Sequence, residues 1–205
     1  MSQLVTLDSI EPMLAIRSAT LPRAGQWHFE LKFEGYRLLA QPFPGRLKTR
    51  NGQNATRWFP ELIGALSALP RGSHVLDGEV TVLDDIGRSD FARLHARAQR
   101  KRWYPGADLV VYCAFDLLVH DGKDIRAEPI ERRKAQLRQL LAGVRQGILF
   151  VDSEVDGQWL FDAAVQLELE GVVAKRQGSA YVGGESSDWL KIKRRGWSSK
   201  GAFRR

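Results

Sequence analysis

The chain is poor in the residues that build redox and metal centres. Its single cysteine, Cys113, leaves no partner for an internal disulfide and no thiol set for structural zinc. The four histidines, at 28, 74, 95 and 120, never fall at metal-ligand spacing. No apolar run approaches the roughly 18 residues that a bilayer crossing needs. The first 12 residues carry acids among few apolar positions, not the basic-then-apolar pattern of a secretory leader. Repeats and long Pro/Gly/Ser linkers are also missing. A disulfide scaffold, a cysteine-rich zinc module and a helical membrane protein are thereby excluded, and a soluble cytoplasmic protein with one compact unit is expected.

What is present is a globular balance, 43% hydrophobic and 27% charged over 205 residues, sufficient to bury a core. The charge is unevenly placed. Lys plus Arg number 31 against 24 Asp plus Glu. The whole excess lies in residues 189–205, which hold seven basic side chains and no acid. Trp189, Trp197 and Phe203 are interleaved with them, a pattern suited to phosphate contact and base stacking. A solvated tail is the competing reading.

Residues 28–40 alternate like a strand, Pro44-Gly45 turns into a second at 46–50, and Asn51-Gly52 marks another tight turn. Helices are predicted over 57–69, from a cap at Ser89 to about Arg100, from Pro129 to about Gly143, and over 159–169. Further strands are predicted at 75–83, 109–119, 171–176 and 188–194. Without a regular βαβ rhythm, the fold class is α+β with mostly antiparallel sheets. Arg97, Arg100, Lys101 and Arg102 read as a solvated helix end complementing the dipole in preference to DNA contact. Trp103-Tyr104 reads as a loop anchor, Arg132, Arg133 and Lys134 as an exposed helix face, and Cys113 as a small core residue.

The chemistry-bearing residues sit on strands that otherwise look buried. Period two gives Glu30, Lys32 and Glu34 one face, with Leu31 and Phe33 on the other. Asp77 and Glu79 share a strand face, Glu170 heads the strand 171–176, and Trp189, Lys191 and Lys193 share another face. Carboxylates and lysines converging on one cleft are what a Mg²⁺–nucleotide site requires, with one lysine available as nucleophile.

At these residues the sequence resembles the covalent nucleotidyltransferases, in particular ATP-dependent DNA ligases. Lys32-Phe-Glu-Gly-Tyr-Arg37 resembles their nucleophile motif, and Thr49-Arg50-Asn51-Gly52 the short motif after it. Leu76-Asp77-Gly78-Glu79-Val80, Phe115-Asp116-Leu117-Leu118, Glu170-Gly-Val-Val-Ala-Lys175 and Trp189-Leu-Lys-Ile-Lys193 resemble the later ones, in family order. The connecting segments Pro12-Met-Leu-Ala15, Phe59-Pro-Glu-Leu62 and Ser89-Asp-Phe91 are similar to the ligase domain of bacterial end-joining ligase D.

The resemblance implies an ATP-grasp-like nucleotidyltransferase fold over residues 1–193, a basic tail at 194–205, and a Mg²⁺- (or Mn²⁺-) dependent reaction with ATP and DNA. Lys32 would form a lysine–AMP phosphoramidate. Glu30 would position adenine and Phe115 would stack on it. Arg37 and Glu79 would hold the ribose side. Glu170, with Glu79 as second candidate, would serve the metal. Lys191 and Lys193 would contact the α-phosphate, and Arg50 the 5′-phosphate at a nick. Two departures stand out: Glu34 occupies the place of the family's Asp, and only 12 residues follow Lys193, too few for the five-stranded OB fold of family members. A separate chain supplying that domain, a binding module that does not ligate, and an RNA ligase are the alternatives. If the basic tail grips backbone phosphate, deleting residues 196–205 is expected to weaken DNA binding and flatten the slope of log affinity against log salt, as read by a binding titration in varied salt.

Overall fold

The computed structural model describes residues 5–23, 25–144 and 146–197. The segment that alternates like one strand is broken at Lys32. Strand β2 (Trp27–Leu31) ends there, and β3 (Tyr36–Gln41) begins in a different sheet. Gly35 lets the chain cross: a Cβ at this position would lie 1.9 Å from the Val80 carbonyl oxygen, so only glycine permits the approach. Glu30, Lys32 and Glu34 therefore do not share one strand face.

The first sheet runs β1 (Met13–Ser18), β10 (Gly184–Lys193), β9 (Gly171–Arg176), β2, with β1 parallel to β10 and the other pairs antiparallel. The second runs β4 (Arg46–Thr49), β3, β5 (Val75–Thr81), β6 (Val111–His120), β7 (Lys123–Asp124), all antiparallel, and β8 (Ile148–Phe150) adds in parallel to β6. The mixed, mainly antiparallel class matches the sequence expectation. Strands β1 and β8 were not legible, being short or lacking alternation.

Among the described residues, four α-helices cover the sheets: α1 (Pro60–Ser67), α2 (Phe91–Gln99), α3 (Ile130–Leu141) and α4 (Gly157–Gln166). Pro60 opens α1, where its missing N–H costs no hydrogen bond. Asp90, not Ser89, caps α2, its carboxylate accepting from the Arg93 N–H at 3.0 Å. The Ser89 hydroxyl instead accepts from the Glu34 N–H at 3.1 Å, tying the β2–β3 crossing to the start of α2. Strand β3 is buried on both faces. Leu38 joins a cluster with Leu62, Leu66, Leu94 and Leu137 beneath the helices, and Leu39 joins Met13, Leu118 and Trp189 in a second cluster. Each such leucine contributes about 1.5–3 kcal/mol. A third cluster, with Phe29, Leu160, Ala164, Val172 and Ile192, seats α4 on the first sheet.

Helix α3 corrects the expectation of an exposed basic face. Arg132 is exposed, but Arg133 and Lys134 are buried. Arg133 donates to both Asp116 carboxylate oxygens, at 2.8 and 3.0 Å, and to the carbonyls of Glu128 and Ser179 at 2.5 and 2.9 Å. The helix meets protein on more than one side, so charge spacing alone does not disclose which cation has a buried acceptor. Of the expected basic tail, residues 198–205 lie outside the described residues. Among the described residues no helix is long and apolar enough to cross a membrane. Asp116→Ala is expected to cost about 3–5 kcal/mol in urea unfolding, because Arg133 is left charged and buried. Arg138→Ala, which breaks an exposed pair with Asp152, is expected to cost less than about 1 kcal/mol.

Candidate active site

The two sheets face each other across a cleft of about 760 Å³. Lys32 sits at its wall, just past the end of β2. Its N–H donates to the Gly171 carbonyl at 3.0 Å, so the residue stays docked to β9 while its side chain is released from the strand pattern. The Lys32 amine donates to Glu170 Oε2 at 2.9 Å, and Lys193 Nζ lies 2.9 Å from Oε1 of the same carboxylate. Glu170 thus bridges the crossing and the last strand. Gly171, at φ 146°, makes this junction possible: a Cβ would come within 2.1 Å of the Ile192 carbonyl oxygen.

The opposite wall comes from β3, β5 and β6. Arg37 forms a two-pronged pair with Asp77 at 2.5 and 2.6 Å and donates to the Met13 carbonyl at 3.2 Å. Tyr181 donates to the same Asp77 at 2.5 Å, so this carboxylate is fully engaged in structure. Burial works against the Arg37 charge, but Asp77 more than offsets it and holds the guanidinium protonated. Phe115 is the extra residue of an irregularity in β6, since Gly78 faces Ala114 and Asp77 faces Asp116. The bulge turns its ring to the cleft, 4.4 Å from the Arg37 guanidinium.

Glu30, expected to meet a base, lines the cleft and is held from behind. Lys134 donates to Oε1 at 2.6 Å and also to the Val151 carbonyl at 2.7 Å, while Lys175 lies 2.7 Å from Oε2. Burial pushes the Lys175 ammonium down to about 8, against the pull of Glu30. That amine lies 4.5 and 4.2 Å from the ring centroids of Phe115 and Trp189. Sequence reasoning assigned no role to Lys175, although it closes a motif, and it placed Lys134 on the surface.

Lys191 and Arg50 line the cleft together with Lys32. Burial and then the charges of Lys32, Lys193 and Arg50 lower the Lys191 ammonium. Glu79 also lines the cleft; burial raises its carboxyl to about 7, with Lys32 and Arg37 opposing and Glu170 adding to the rise. Glu34, one methylene longer than the aspartate expected there, is likewise pushed up to about 7, first by burial and then by Glu170. Its Oε1 is buried without a hydrogen-bond partner. All the sequence-predicted site residues except Lys193 and Glu170 line this one cleft, and those two join it through Lys32.

These residues fit a hard divalent cation accompanied by a nucleotide. Glu79 and Glu170 supply oxygen donors, and burial disfavours the Glu79 charge more than Lys32 and Arg37 can offset. Among the described residues no group of three or more His, Cys, Asp or Glu is placed to hold a metal ion by itself. Mg²⁺ needs no such cage, because it takes one or two carboxylates and completes its shell with phosphate oxygens and water.

Residues 12–193 match the family model described as the ATP dependent DNA ligase domain. The chain is 40% identical over 188 residues to the multifunctional non-homologous end joining protein LigD of Pseudomonas aeruginosa, covering 90% of this chain and 22% of that protein. It is 36% identical over 166 residues to the SPbeta prophage-derived DNA ligase-like protein LigB of Bacillus subtilis, covering 80% and 59%. Among solved structures it resembles the ligase domain of Mycobacterium tuberculosis LigD, with TM-score 0.80, 31% identity, and coverage of 92% of this chain and 61% of that one. A mycobacterial DNA ligase D complexed with ATP and MES matches at TM-score 0.77 and 31% identity, covering 92% and 62%. The chain thus spans about a fifth of the P. aeruginosa LigD and under two thirds of the solved ligase domains. On the match over residues 12–193, the chain belongs to the ATP-dependent DNA ligase domain family.

Proposed function

We propose that this chain is the adenylating unit of a DNA strand-joining reaction, with Lys32 as nucleophile. The observation that carries the reading is the placement of the Lys32 amine on Glu170, at the wall of a cleft that also holds Lys191, Arg37 and the Phe115 ring. An ammonium so placed is a poor nucleophile and must give up its proton before it attacks, with Glu170 Oε2 at 2.9 Å the acceptor already hydrogen-bonded to it. Its nitrogen then attacks the α-phosphorus of ATP, a P–N bond forms, and the bond to the leaving pyrophosphate breaks. Lys191 and Lys193 offset charge on the phosphoryl oxygens in the in-line transition state. Phe115 stacks on adenine beside Glu30, and Arg37 and Glu79 support the ribose side.

Glu170 and Glu79 would hold Mg²⁺ or Mn²⁺, which neutralises phosphate charge when bound. The AMP passes from Lys32 to a 5′-phosphate at a DNA break steered by Arg50, and the adjoining 3′-hydroxyl displaces it. The LigD relatives favour a role in end-joining repair, with other domains or a separate chain supplying an OB fold and further contacts. Residues 1–193 form the adenylating domain in this reading. The buried, unpartnered Glu34 carboxyl oxygen beside the nucleophile supports one rival, a nucleotide- or nick-binding module without the chemistry.

Incubation with labelled ATP and Mg²⁺ is expected to leave a labelled protein band on a denaturing gel, absent in Lys32→Ala, and the label is expected to move to nicked DNA. A folded wild-type chain that binds nucleotide yet never takes label would leave the binding module instead. A second prediction concerns Glu79. Its folded pKa of about 7 exceeds the ordinary 4.5, so the native state holds the proton longer than the unfolded chain does. Stability therefore falls as pH rises from about 4.5 to about 7. Glu79→Gln is expected to unfold at a higher temperature than wild type above pH 7, with the gap closing by pH 4.5. Thermal melts across that range check it, and a gap independent of pH would contradict it.

A further inference from the structure

The four cations around the end of α2 read from sequence as one solvated group, and the structure divides them. Arg97 is fully buried. It donates to the Arg102 carbonyl at 2.7 Å and to the Glu61 carboxylate at 3.1 and 3.3 Å, and its guanidinium lies 5.6 Å from the ring centroids of Phe59 and Tyr104. Arg97 is therefore an internal pin that fixes the following turn from below. Lys101 adopts φ 51°, a left-handed conformation uncommon for a lysine, with its N–H on the Ala98 carbonyl at 3.0 Å. Tyr104 lies under Arg100, 4.0 Å from its guanidinium, which makes it the loop anchor expected of this pair.

The turn so held presents Arg100, Lys101, Arg102 and Trp103 outward, all exposed, the indole at 54%. Lys101 and its neighbour Gln99 line the same cleft as Arg50 and Lys191, and Lys101 Nζ lies 5.6 Å from the Trp58 ring centroid. Cations earlier in this segment are neutralised: Arg88 by Asp84, Arg93 by Asp108, Arg97 by Glu61. Among the described residues, Arg50, Arg100, Lys101, Arg102 and Lys191 have no ion-pair partner. Arg50, Lys101 and Lys191 line the cleft, and Arg100 and Arg102 flank Lys101 on a turn whose backbone is already ordered.

We propose that the turn at residues 100–103 is a phosphate clamp for duplex DNA, contacting the sugar–phosphate backbone outside the cleft on the rim that begins at Arg50. Guanidinium forks match phosphate oxygens, the gain is release of condensed counterions, and the buried Arg97 removes most of the ordering cost. The inference deepens the strand-joining reading and rests on its DNA substrate. Trp103 adds a flat apolar surface beside the cations. The contacts are to backbone, so they carry charge dependence and no sequence preference.

Binding of a nicked duplex oligonucleotide, followed by fluorescence anisotropy at several salt concentrations, tests the clamp. Arg100→Ala with Arg102→Ala is expected to weaken binding and to lower the slope of log affinity against log salt by about 2, at roughly 0.9 per lost phosphate contact. Arg100→Lys with Arg102→Lys is expected to restore most of that slope. Arg132→Ala, which removes an exposed cation from α3, is expected to leave it unchanged. Label transfer from ATP to Lys32 without DNA reports that the doubly substituted chain is folded. A slope equal to wild type in that double alanine variant overturns the clamp, as does an equal loss per charge in Arg132→Ala. If the wild-type chain takes label but shows no salt-dependent duplex binding, the clamp falls and the adenylating reading stands. If the wild-type chain takes no label, matching far-UV circular dichroism of the two chains reports the fold instead, and a slope that then falls as expected leaves the clamp standing while the adenylating reading falls.

Discussion

The passage of the chain from one sheet to the other between Leu31 and Tyr36 is the constraint on which the rest of the molecule depends. It demands a residue without a side chain at Gly35, where the Val80 carbonyl oxygen leaves no room for a Cβ. It also frees Lys32 from strand alternation while its backbone stays bonded to Gly171. The nucleophile candidate is therefore held by main-chain bonds on one side and a carboxylate on the other, and neither depends on a long mobile loop. Sites built this way keep their geometry without a large ordering cost when ligand arrives.

Around that crossing the protein accepts an unusual load of buried charge. Lys134 and Lys175 converge on Glu30, Arg133 and Asp116 pair with both side chains fully covered, and Arg37 grips Asp77 under Tyr181. Such pairs recover their desolvation cost only when geometry is good and remaining hydrogen-bonding positions are filled, so their contribution is definition more than stability. Each joins elements distant in sequence, α3 to β2, α3 to β6, β3 to β5. Lys191, Arg50 and Lys101, which have no salt bridge among the described residues, line the cleft, where a polyanion can serve as their partner.

The sequence disclosed the chemistry better than the geometry. The residue types of the site were legible because carboxylates and lysines on apolar strands are costly and demand a reason. Strand β9 was placed to the residue, since its run of Val and Ala is bounded by glycine and a charge. Period two failed at residues 28–40, where the pattern continues through a change of sheet that only the tight approach at Gly35 reveals. Helical spacing failed at Arg97, Arg133 and Lys134, because a long cation looks the same on a helix face whether it meets water or a buried carboxylate. The bulge at Phe115 has no local signature, yet it decides that the ring faces the cleft. Strand β1 escaped notice because its burial does not alternate, and the partner that orders it lies at the other end of the chain, at β10.

That last pairing has a consequence for the order in which the protein assembles. The first sheet runs β1, β10, β9, β2, so its interior is completed only when residues 184–193 are in place. During synthesis the second sheet and helices α1 to α3 can collapse on nearby sequence, whereas β1 and β2 must wait with open edges for β9 and β10. Pairings of such long sequence separation form slowly and leave aggregation-prone edges exposed meanwhile. Glu170 and Lys193 arrive with those same late strands, so the cluster around Lys32 forms in the step that closes the sheet. A chain interrupted before β10 would therefore pair β2 with β9 and set Lys32 beside Glu170, but it would lack Lys191 and Lys193 and leave β1 and one side of β9 as open edges.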